Sequence, residues 1–416
     1  MKDAAEVKAD VASPRVQHLL ASARVQFVER GFDAVSIDAI ARTAGVSKET
    51  IYRHFADKEA LFRAALDEQG EEFVARAEAV HERAESGGSE LAGLAHTILD
   101  SALDQGMFSA LWVAAGVAHK MPDLASSLQN GQGMRLEPVR RALEDYAREK
   151  GVDRAVPLEM ALDFGSLAVE GPVVLMGFPP APPEARARIA HHASALFARG
   201  INSAKGSGVP LPDPLPSVPI GASDAPPSHI RTLLEVAGRH FLEEGYEGAN
   251  LNLIGEEARV GRGTLYRHFA SKAGLFAAAM RALAQDCAEM AEPPAMPDGQ
   301  ADPAALAAYV DSALAILASA RSIQLHRAVI SQSRRDAALA RHIYVALRAP
   351  WVAGLVPWLG SLGVRRGADW HARQLLVLAL RGNRLFAGGH PISAQERRHY
   401  AERAAAIFLN GFISLL

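Results

Sequence analysis

The sequence predicts an all-α protein built from two similar units in tandem, and three observations lead to this fold class. Aromatic residues make up only 6% of the chain while alanine and leucine abound, a composition that favours packed helices over sheets. Apolar residues recur at the three- and four-residue spacing of amphipathic helices. The segment TIYRHFA at 50–56 returns as TLYRHFA at 264–270, which indicates a repeat of whole domains within the 416 residues.

In the first unit, the order of apolar, capping and turn residues predicts a helix-turn-helix. Gly31 is suited to end the first helix, and Ser36 and Ser47 are suited to begin the two short helices that follow. A further helix begins after Asp57. The elements predicted in order are a helix over about 15–30, a short helix over about 37–43, a tight turn at 44–46 and a second short helix over about 48–54.

The second unit repeats these elements with departures from the first. Arg259 stands where the first unit has the turn glycine Gly45, which predicts mild strain or a different turn. Gly261 replaces the capping residue Ser47, and Gly263 follows it. Because glycine lowers helix propensity, we expect the second helix-turn-helix to be the less secure of the two.

The repeat also sets the domain boundaries. Residues 36–62 align without a gap with 250–276, and a weaker similarity joins the ends of the units near 196–201 and 407–412. A stretch rich in proline, glycine and serine between the units predicts a linker. The predicted parts are a helix-turn-helix domain at 14–63, a helical domain at 64–205, the linker at 206–227, a second helix-turn-helix domain at 228–277 and a second helical domain at 278–416.

Charge and cysteine content narrow the classes of function. The net charge is −3, so binding to a polyanion would need a local basic patch. The single cysteine, Cys287, excludes an intramolecular disulfide and a cysteine-rich metal site. The N-terminus lacks the apolar core of a secretion signal, and no uncharged apolar run reaches the roughly 18 residues of a membrane span. We therefore expect a cytoplasmic protein with no membrane contact, no metal and no cofactor.

The second short helix of such a motif enters the major groove of DNA with its N-terminal residues, while nearby cations meet the phosphates. The candidate DNA contacts of the first unit are Ser36, Ser47, Lys48, Thr50, Tyr52, Arg53, His54 and Lys58. The candidates of the second unit are Asn250, Arg262, Thr264, Tyr266, Arg267, His268 and Lys272. Together they supply the basic patch that the whole chain lacks.

Several of these positions have structural alternatives. The alternatives are local capping or packing for His54 and His268, solvation for Lys58 and Lys272, and half-buried packing for Tyr52 and Tyr266. Phe55 and Phe269, which follow the histidines, are predicted to lie in the core.

The pattern from Phe27 to Phe62, repeated from Phe241 to Phe276, resembles the DNA-binding domain of the TetR family of bacterial repressors. In the first unit it contains AGVSKETIYRHF at 44–55. Each unit also has the length of one subunit of that family, so the resemblance covers nearly the whole chain twice. It implies a bacterial regulator of double-stranded DNA whose helical domains bind a small-molecule effector and dimerise through their last two helices.

The resemblance leaves two architectures open. Predicted helices near 158–176 and 184–203 match those near 370–387 and 394–414, and their apolar faces would form a four-helix interface. One hypothesis is an intramolecular pseudo-dimer whose two different heads prefer an imperfect palindrome. The alternative is a homodimer of chains that presents four heads.

Effector chemistry is weakly specified by the sequence. The candidate ligand residues in the helical domains are Trp112, His119, His326, Arg327, Arg381 and Arg384. For the arginines that interrupt an apolar helix, pairing with acidic neighbours is the favoured alternative.

An enzyme is not expected. The adjacent His191 and His192 lack the HExxH spacing of metal-binding helices, and no nucleophile elbow, Walker or dinucleotide motif is present. The remaining alternative is a ligand sensor or interaction protein in which one or both DNA-binding heads are impaired.

Overall fold

The structure is a computed structural model. It describes residues 13–32, 34–65, 91–104, 112, 114–118, 120–123, 136–169, 174–204, 208–216, 218, 227–382, 386 and 391–416. Within these residues every regular element is an α-helix or a 3-10 helix, which confirms the predicted fold class.

The first unit begins with the three helices of the predicted motif. Their ends agree with the prediction to within one residue, because a serine side chain or a glycine sets every boundary except the end of the third helix, where the capping position is Phe55. The helices of this unit are α1 Pro14–Arg30, α2 Ile37–Ala44, α3 Lys48–His54, α4 Leu91–Asp104, α5 Glu137–Glu149, α6 Leu158–Val169 and α7 Pro183–Arg199, followed by a 3-10 helix at Gly200–Ala204.

The second unit repeats the helix-turn-helix and ends, like the first, in a long helix followed by a 3-10 helix. Gly245 lies near the end of its first helix with a φ of 75°, the counterpart of Gly31 with a φ of 82°. The helices of this unit are α8 Ser228–Gly248, α9 Leu251–Glu257, α10 Arg262–Phe269, α11 Lys272–Ala288, α12 Pro303–Leu317, α13 Ala320–Gln332, α14 Ala337–Ser361, α15 Ala368–Ala379 and α16 Ala394–Asn410, followed by a 3-10 helix at Phe412–Leu415.

The duplication extends through the helical domains. Helix α7 packs against α4 in the first unit, and α16 packs against α12 in the second. Arg186 Nη1 lies 2.9 Å from Asp100 Oδ1, and Arg397 Nε lies 2.7 Å from Asp311 Oδ1. These ion pairs occupy equivalent places in the repeat, so the two units share a packing scheme as well as a motif.

The last helices of the two units lie against each other. Helix α7 contacts α16, and α6 contacts α15. At Gly200 a side chain would strike the carbonyl oxygen of Leu409, and at Gly411 it would strike the carbonyl oxygen of Ala198. The two contacts are reciprocal between the units, as contacts across a twofold axis are.

Side chains at the same junction are not symmetric. Phe197 stacks on Phe412 with ring centroids 4.9 Å apart. Arg403 Nε lies 2.5 Å from Asp163 Oδ2, and burial raises the pKa of the Asp163 carboxyl although Arg403 opposes that shift. The two units therefore contribute different side chains to the junction.

The described part of the predicted linker, residues 208–216 and 218, has no helix or strand. His192 Nε2 lies 3.2 Å from the carbonyl oxygen of Val209 and 3.1 Å from that of Pro210. Arg188 Nη2 lies 3.1 Å from Asp213 Oδ2. The linker is thus held along α7.

Among the described residues, α14 is long and apolar enough to cross a membrane, with a mean hydropathy of 1.2 over its best window. The bent pair α12 and α13 would pass the same test if counted together. The sequence analysis did not single out these helices. Helix α14 packs against α11 and α15 and carries the buried Arg348, as a core helix of a bundle does, so its hydropathy is weak evidence for a span.

Candidate nucleic-acid interface

The helix-turn-helix of the first unit is fixed by local hydrogen bonds. Ser36 Oγ accepts from the backbone N–H of Ala39 at 3.1 Å, and Ser47 Oγ accepts from that of Thr50 at 3.1 Å. Between the helices Gly45 has a φ of 65°, a left-handed conformation that glycine adopts without strain. The predicted caps and turn are therefore present as proposed.

An aromatic triangle anchors each head. In the first unit the ring of Phe62 lies 5.0 Å from that of Phe27 and 5.2 Å from that of Phe32. In the second unit the ring of Phe276 has the same separations from Phe241 and Tyr246. Ile51 on helix α3 and Leu265 on helix α10 are buried. The opposite face of each of these helices is therefore turned outward.

The outward faces carry the predicted reading residues. Tyr52 is 47% exposed and Tyr266 is 40% exposed, so both tyrosines reach the surface while part of each side chain is covered. The other candidates with exposed positions are Ser36, Ser47, Lys48, Arg53, Asn250, Arg262, Arg267 and His268, whereas Thr50 and Thr264 are half-buried. Two exposed aromatic rings at equivalent places are typical of a surface that meets a partner.

We call α3 and α10, the second helices of the two helix-turn-helix motifs, the reading helices. The charged residues in their first turns differ. Lys48 Nζ lies 3.1 Å from Asp38 Oδ2 on α2, and this contact raises the pKa of the Lys48 amine. Backbone and Ser47 hydrogen bonds lower the pKa of the Glu49 carboxyl. Helix α10 has no acidic residue in its first turn, and the Arg262 guanidinium lies 5.6 Å from the centre of the Tyr266 ring.

The two lysines after the motif make internal contacts. Lys58 Nζ lies 4.4 Å from the centre of the Phe32 ring, and Lys272 Nζ lies 5.2 Å from that of Tyr246. Lys272 Nζ also donates to the carbonyl oxygen of Glu247 at 3.0 Å. Both lysines therefore bind the residues that end the first helix of their head, a role that the solvated alternative did not include.

The histidines of the motif differ between the heads. His54 is half-buried against Phe55, with ring centroids 6.3 Å apart. His268 is exposed, and its ring lies 6.4 Å from that of His229. Phe55 is buried, as predicted. Phe269 was also predicted to lie in the core, but it is only half-buried.

The second head forms despite its departures. Arg259 has a φ of 54°, so it takes the left-handed conformation of Gly45 at the cost that the sequence analysis expected. Helix α10 begins at Arg262 with no side-chain cap at Gly261. Asn250 Oδ1 accepts from the backbone N–H of Asn252 at 2.9 Å and so caps α9.

The candidate ligand residues fall into separate places. Trp112 and Arg327 line one cavity of about 340 Å³. Arg381 donates to the Tyr400 hydroxyl at 3.1 Å beside a gap of only about 10 Å³, which leaves little room for a ligand. His119 and Arg384 lie outside the described residues.

His326 is fully buried and does not line that cavity. Arg348 Nη1 donates to His326 Nε2 at 3.0 Å, since a guanidinium cannot accept. His326 Nδ1 therefore carries the proton that faces the Ser322 carbonyl oxygen at 2.6 Å. Burial and the Arg348 charge hold the pKa of His326 well below its usual range. The neutral ring stacks on Phe386 with centroids 4.0 Å apart.

Two functional candidates were missed by the sequence analysis. Arg334 Nη1 donates to the carbonyl oxygen of Val28 at 2.7 Å, and Arg335 Nη1 lies 2.7 Å from Glu247 Oε1. These neighbouring arginines thus reach both heads. No helical period or motif in the sequence indicates these arginines, because the partner of Arg334 lies in the first unit and that of Arg335 is 88 residues away in the second.

The fold and this interface define a class of protein: an all-α chain with two helix-turn-helix domains in tandem. Residues 19–65 and 233–279 each match the model of the family described as bacterial regulatory proteins, tetR family. Residues 304–412 match the AefR-like transcriptional repressor C-terminal domain. The chain belongs to the TetR family of transcriptional regulators and is a tandem duplication of its subunit.

Individual relatives match mainly over the heads. The HTH-type transcriptional repressor AcnR of Corynebacterium glutamicum is 40% identical over 73 residues, which cover 18% of this chain and 37% of AcnR. The HTH-type transcriptional activator FasR of Mycolicibacterium smegmatis is 43% identical over 60 residues, 14% of this chain and 27% of FasR. The chain therefore spans about a third or less of these curated relatives. The solved structure of the flavonoid-responsive regulator FrrA is 27% identical, with 44% of this chain and 94% of FrrA covered and a TM-score of 0.34.

Proposed function

We propose that this protein is a sequence-specific repressor that binds promoter DNA in the bacterial cytoplasm and is released by a small-molecule effector. The observation that carries the proposal is the pair of outward helices, α3 and α10, with Tyr52 and Tyr266 exposed at equivalent places. An effector that binds preferentially to a conformation with misplaced heads would lower the affinity for DNA.

In this proposal, the residues of the reading helices divide into two groups. Lys48, Thr50 and Tyr52 contact bases and adjacent phosphates in one half-site, and Arg262, Thr264 and Tyr266 do so in the other. The remaining candidates contact the phosphate backbone: Ser36, Ser47, Arg53, His54, Lys58, Asn250, Arg267, His268 and Lys272. Because the two heads differ in sequence, an imperfect palindrome is the preferred target.

We further propose that one chain acts as a pseudo-dimer. The reciprocal approach of Gly200 to Leu409 and of Gly411 to Ala198 supports this arrangement, and so does the buried pair of Arg403 and Asp163. A twofold regulator needs two heads about 34–36 Å apart, one DNA turn, and in the proposed pseudo-dimer both heads belong to one chain.

The proposal is tested by fluorescence anisotropy of the full chain with the DNA upstream of its own coding region. The triple variants K48A/T50A/Y52A and R262A/T264A/Y266A should each weaken binding at least tenfold, and affinity should fall steeply with salt. The matched control is Arg148→Ala, an exposed arginine on α5 whose partner is Asp145. Retention of full affinity by both triple variants would exclude these helices from the interface.

The second candidate is a ligand sensor in which one or both heads are impaired. Two observations favour it. Lys48 forms an ion pair with Asp38 in the first head, and Arg259 in the second head has a positive φ, which is strained for an arginine. Binding of promoter DNA that does not depend on salt or sequence would favour this candidate over the repressor.

A further inference from the structure

A cavity of about 340 Å³ lies between the two heads. The first unit lines it with the end of α1 and with residues 112 and 115–118. The second unit lines it with the end of α8 and with residues of α13 and the turn that follows. A volume of this size is at the lower end of sites that hold drug-sized ligands.

The contacts around this cavity set the positions of both heads. Arg334 donates to the carbonyl oxygen of Val28 in the first head at 2.7 Å, and its guanidinium lies 4.0 Å from the centre of the Trp112 ring. Its neighbour Arg335 pairs with Glu247 in the second head at 2.7 Å. A single turn of the chain thus holds the ends of α1 and α8 across the cavity.

One charge at the cavity is unbalanced. Arg327 Nε donates to the carbonyl oxygen of Phe386 at 2.7 Å, but its buried Nη2 has no hydrogen-bond partner among the described residues. Burial lowers the pKa of Arg327, and no carboxylate of the described residues offsets this. That nitrogen is enclosed by protein and does not itself face the cavity. The side chain of Arg327 lines the cavity, however, and no carboxylate of the described residues balances its charge, so an anion in the cavity would be stabilised.

The other charges that line the cavity are already engaged or face solvent. Glu247 pairs with Arg335, and Glu244 Oε1 lies 2.6 Å from His240 Nδ1. Glu29 and Arg30 are exposed. The electrostatic preference of the cavity is therefore set by Arg327 and favours a negative ligand.

We propose that this cavity between the heads is the binding site of an organic anion with an apolar body. The anionic group binds the guanidinium of Arg327, and the apolar part lies against Trp112 and Phe241, which line the same cavity. This assignment rests on the proposed repressor function for its regulatory meaning, because a ligand here competes with the contacts that Arg334 and Arg335 make to the heads. It names the chemical class of effector and places it between the units rather than inside either helical domain.

The probe for this site is 8-anilinonaphthalene-1-sulfonate, an aromatic anion that fluoresces in apolar surroundings. The full chain, without DNA, should bind one probe molecule per chain. Arg327→Met, which removes the charge and keeps the bulk, should weaken binding about tenfold or more, the usual effect of losing a charge-assisted hydrogen bond. Gly116→Leu should block the cavity, since a Cβ at Gly116 meets only Ser331 Cβ, at 3.5 Å.

The matched control is Arg341→Met, which removes an arginine whose Nη1 donates to the Gly177 carbonyl oxygen at 2.6 Å, outside this cavity. Circular dichroism and thermal melting identify any variant that fails to fold. Binding of the probe that survives in both folded variants, or no binding by the parent chain, overturns the proposal. Promoter binding is measured separately without the probe, so a failure of the DNA-binding function is distinguished from a failure of this site.

Discussion

The first turn of each reading helix is where single residues distinguish the two heads. Lys48 is held by Asp38 across the turn of the motif, whereas the first turn of α10 has no acidic residue. An exposed ion pair contributes little to folding. Its effect on a nearby polyanion is larger, because Asp38 both engages the cation and repels phosphate.

We expect Asp38→Asn to raise the affinity of the full chain for promoter DNA about two- to fivefold, as the loss of a competing exposed ion pair allows. Anisotropy titration at fixed salt measures this change. Asp145→Asn, which removes the half-buried acid that pairs with Arg148 on α5, is the control and should have no effect. Weaker binding by the Asp38 variant would show that the ion pair orients Lys48 for DNA.

A second prediction at this scale concerns acid stability. His326 is neutral in the fold with a pKa far below 6.5, so the unfolded chain binds its proton first as the pH falls. The contribution of neutral His326 to the free energy of unfolding is fully present above about pH 6.5. It is lost as the pH falls below that value, by at most about 1.4 kcal/mol per pH unit. His326→Gln, which can still accept from Arg348, should therefore lose less stability between pH 7 and pH 5 than the parent chain.

Denaturant unfolding at several pH values measures this slope. The control His18→Gln changes an exposed histidine on α1 and should follow the parent. Equal slopes for the parent and the His326 variant would contradict the prediction.

At the scale of elements, the turn between the motif helices is the clearest difference between the units. Gly45 and Arg259 share the same left-handed conformation, and a Cβ at Gly45 would meet no atom within 4 Å. Its substitution therefore tests backbone conformation alone. Gly45→Ala should lower the stability of the first head by about 1–2 kcal/mol.

The converse change, Arg259→Gly, should raise the melting temperature of the second head by a smaller amount, because glycine also loosens the unfolded chain. Calorimetry of the full chain measures both variants. Opposite signs are expected, and a stabilising Gly45→Ala would refute the account of the turn.

The elements of the heads could be predicted from sequence because local chemistry determines them. Ser36 and Ser47 begin helices by accepting hydrogen bonds from backbone N–H groups three residues further along the chain. Gly45 adopts the left-handed conformation that the turn requires. The sequence left Tyr52 open between a surface position and half-buried packing, because the helical period does not determine how far neighbouring elements cover a side chain. The partial exposure of Phe269 could not be read in this way, because burial at the end of α10 depends on how distant helices pack.

At the scale of the whole molecule, the junction of the two units determines how the heads are paired. The sequence predicted which helices meet there, but not the glycines that allow their approach. Gly200 and Gly411 read as ordinary helix ends, since the atoms that exclude a side chain belong to the opposite unit. The cavity between the heads, the contact of Arg334 with Val28 and the pair of Arg403 with Asp163 escaped prediction for the same reason.

We expect light scattering to give one chain per particle in dilute solution. The double variant G200A/G411A should separate the units and enlarge the hydrodynamic radius, because each methyl group would strike a carbonyl of the facing unit. Gly151→Ala is the control, since Gly151 has a φ of 80° but open space around its Cα. Two parent chains per particle would exclude the pseudo-dimer.

In the proposed pseudo-dimeric repressor, the covalent joining of the two units has a consequence for gene control at low copy number. A regulator assembled from separate subunits falls apart when it is scarce, so its occupancy of an operator drops with the square of its concentration. In a single-chain pseudo-dimer, where Gly200 approaches Leu409 and Gly411 approaches Ala198, the partner unit belongs to the same polypeptide, and occupancy falls only in proportion to the number of molecules. Each half-operator can also drift during evolution with its own head, without forcing a matching change in the other.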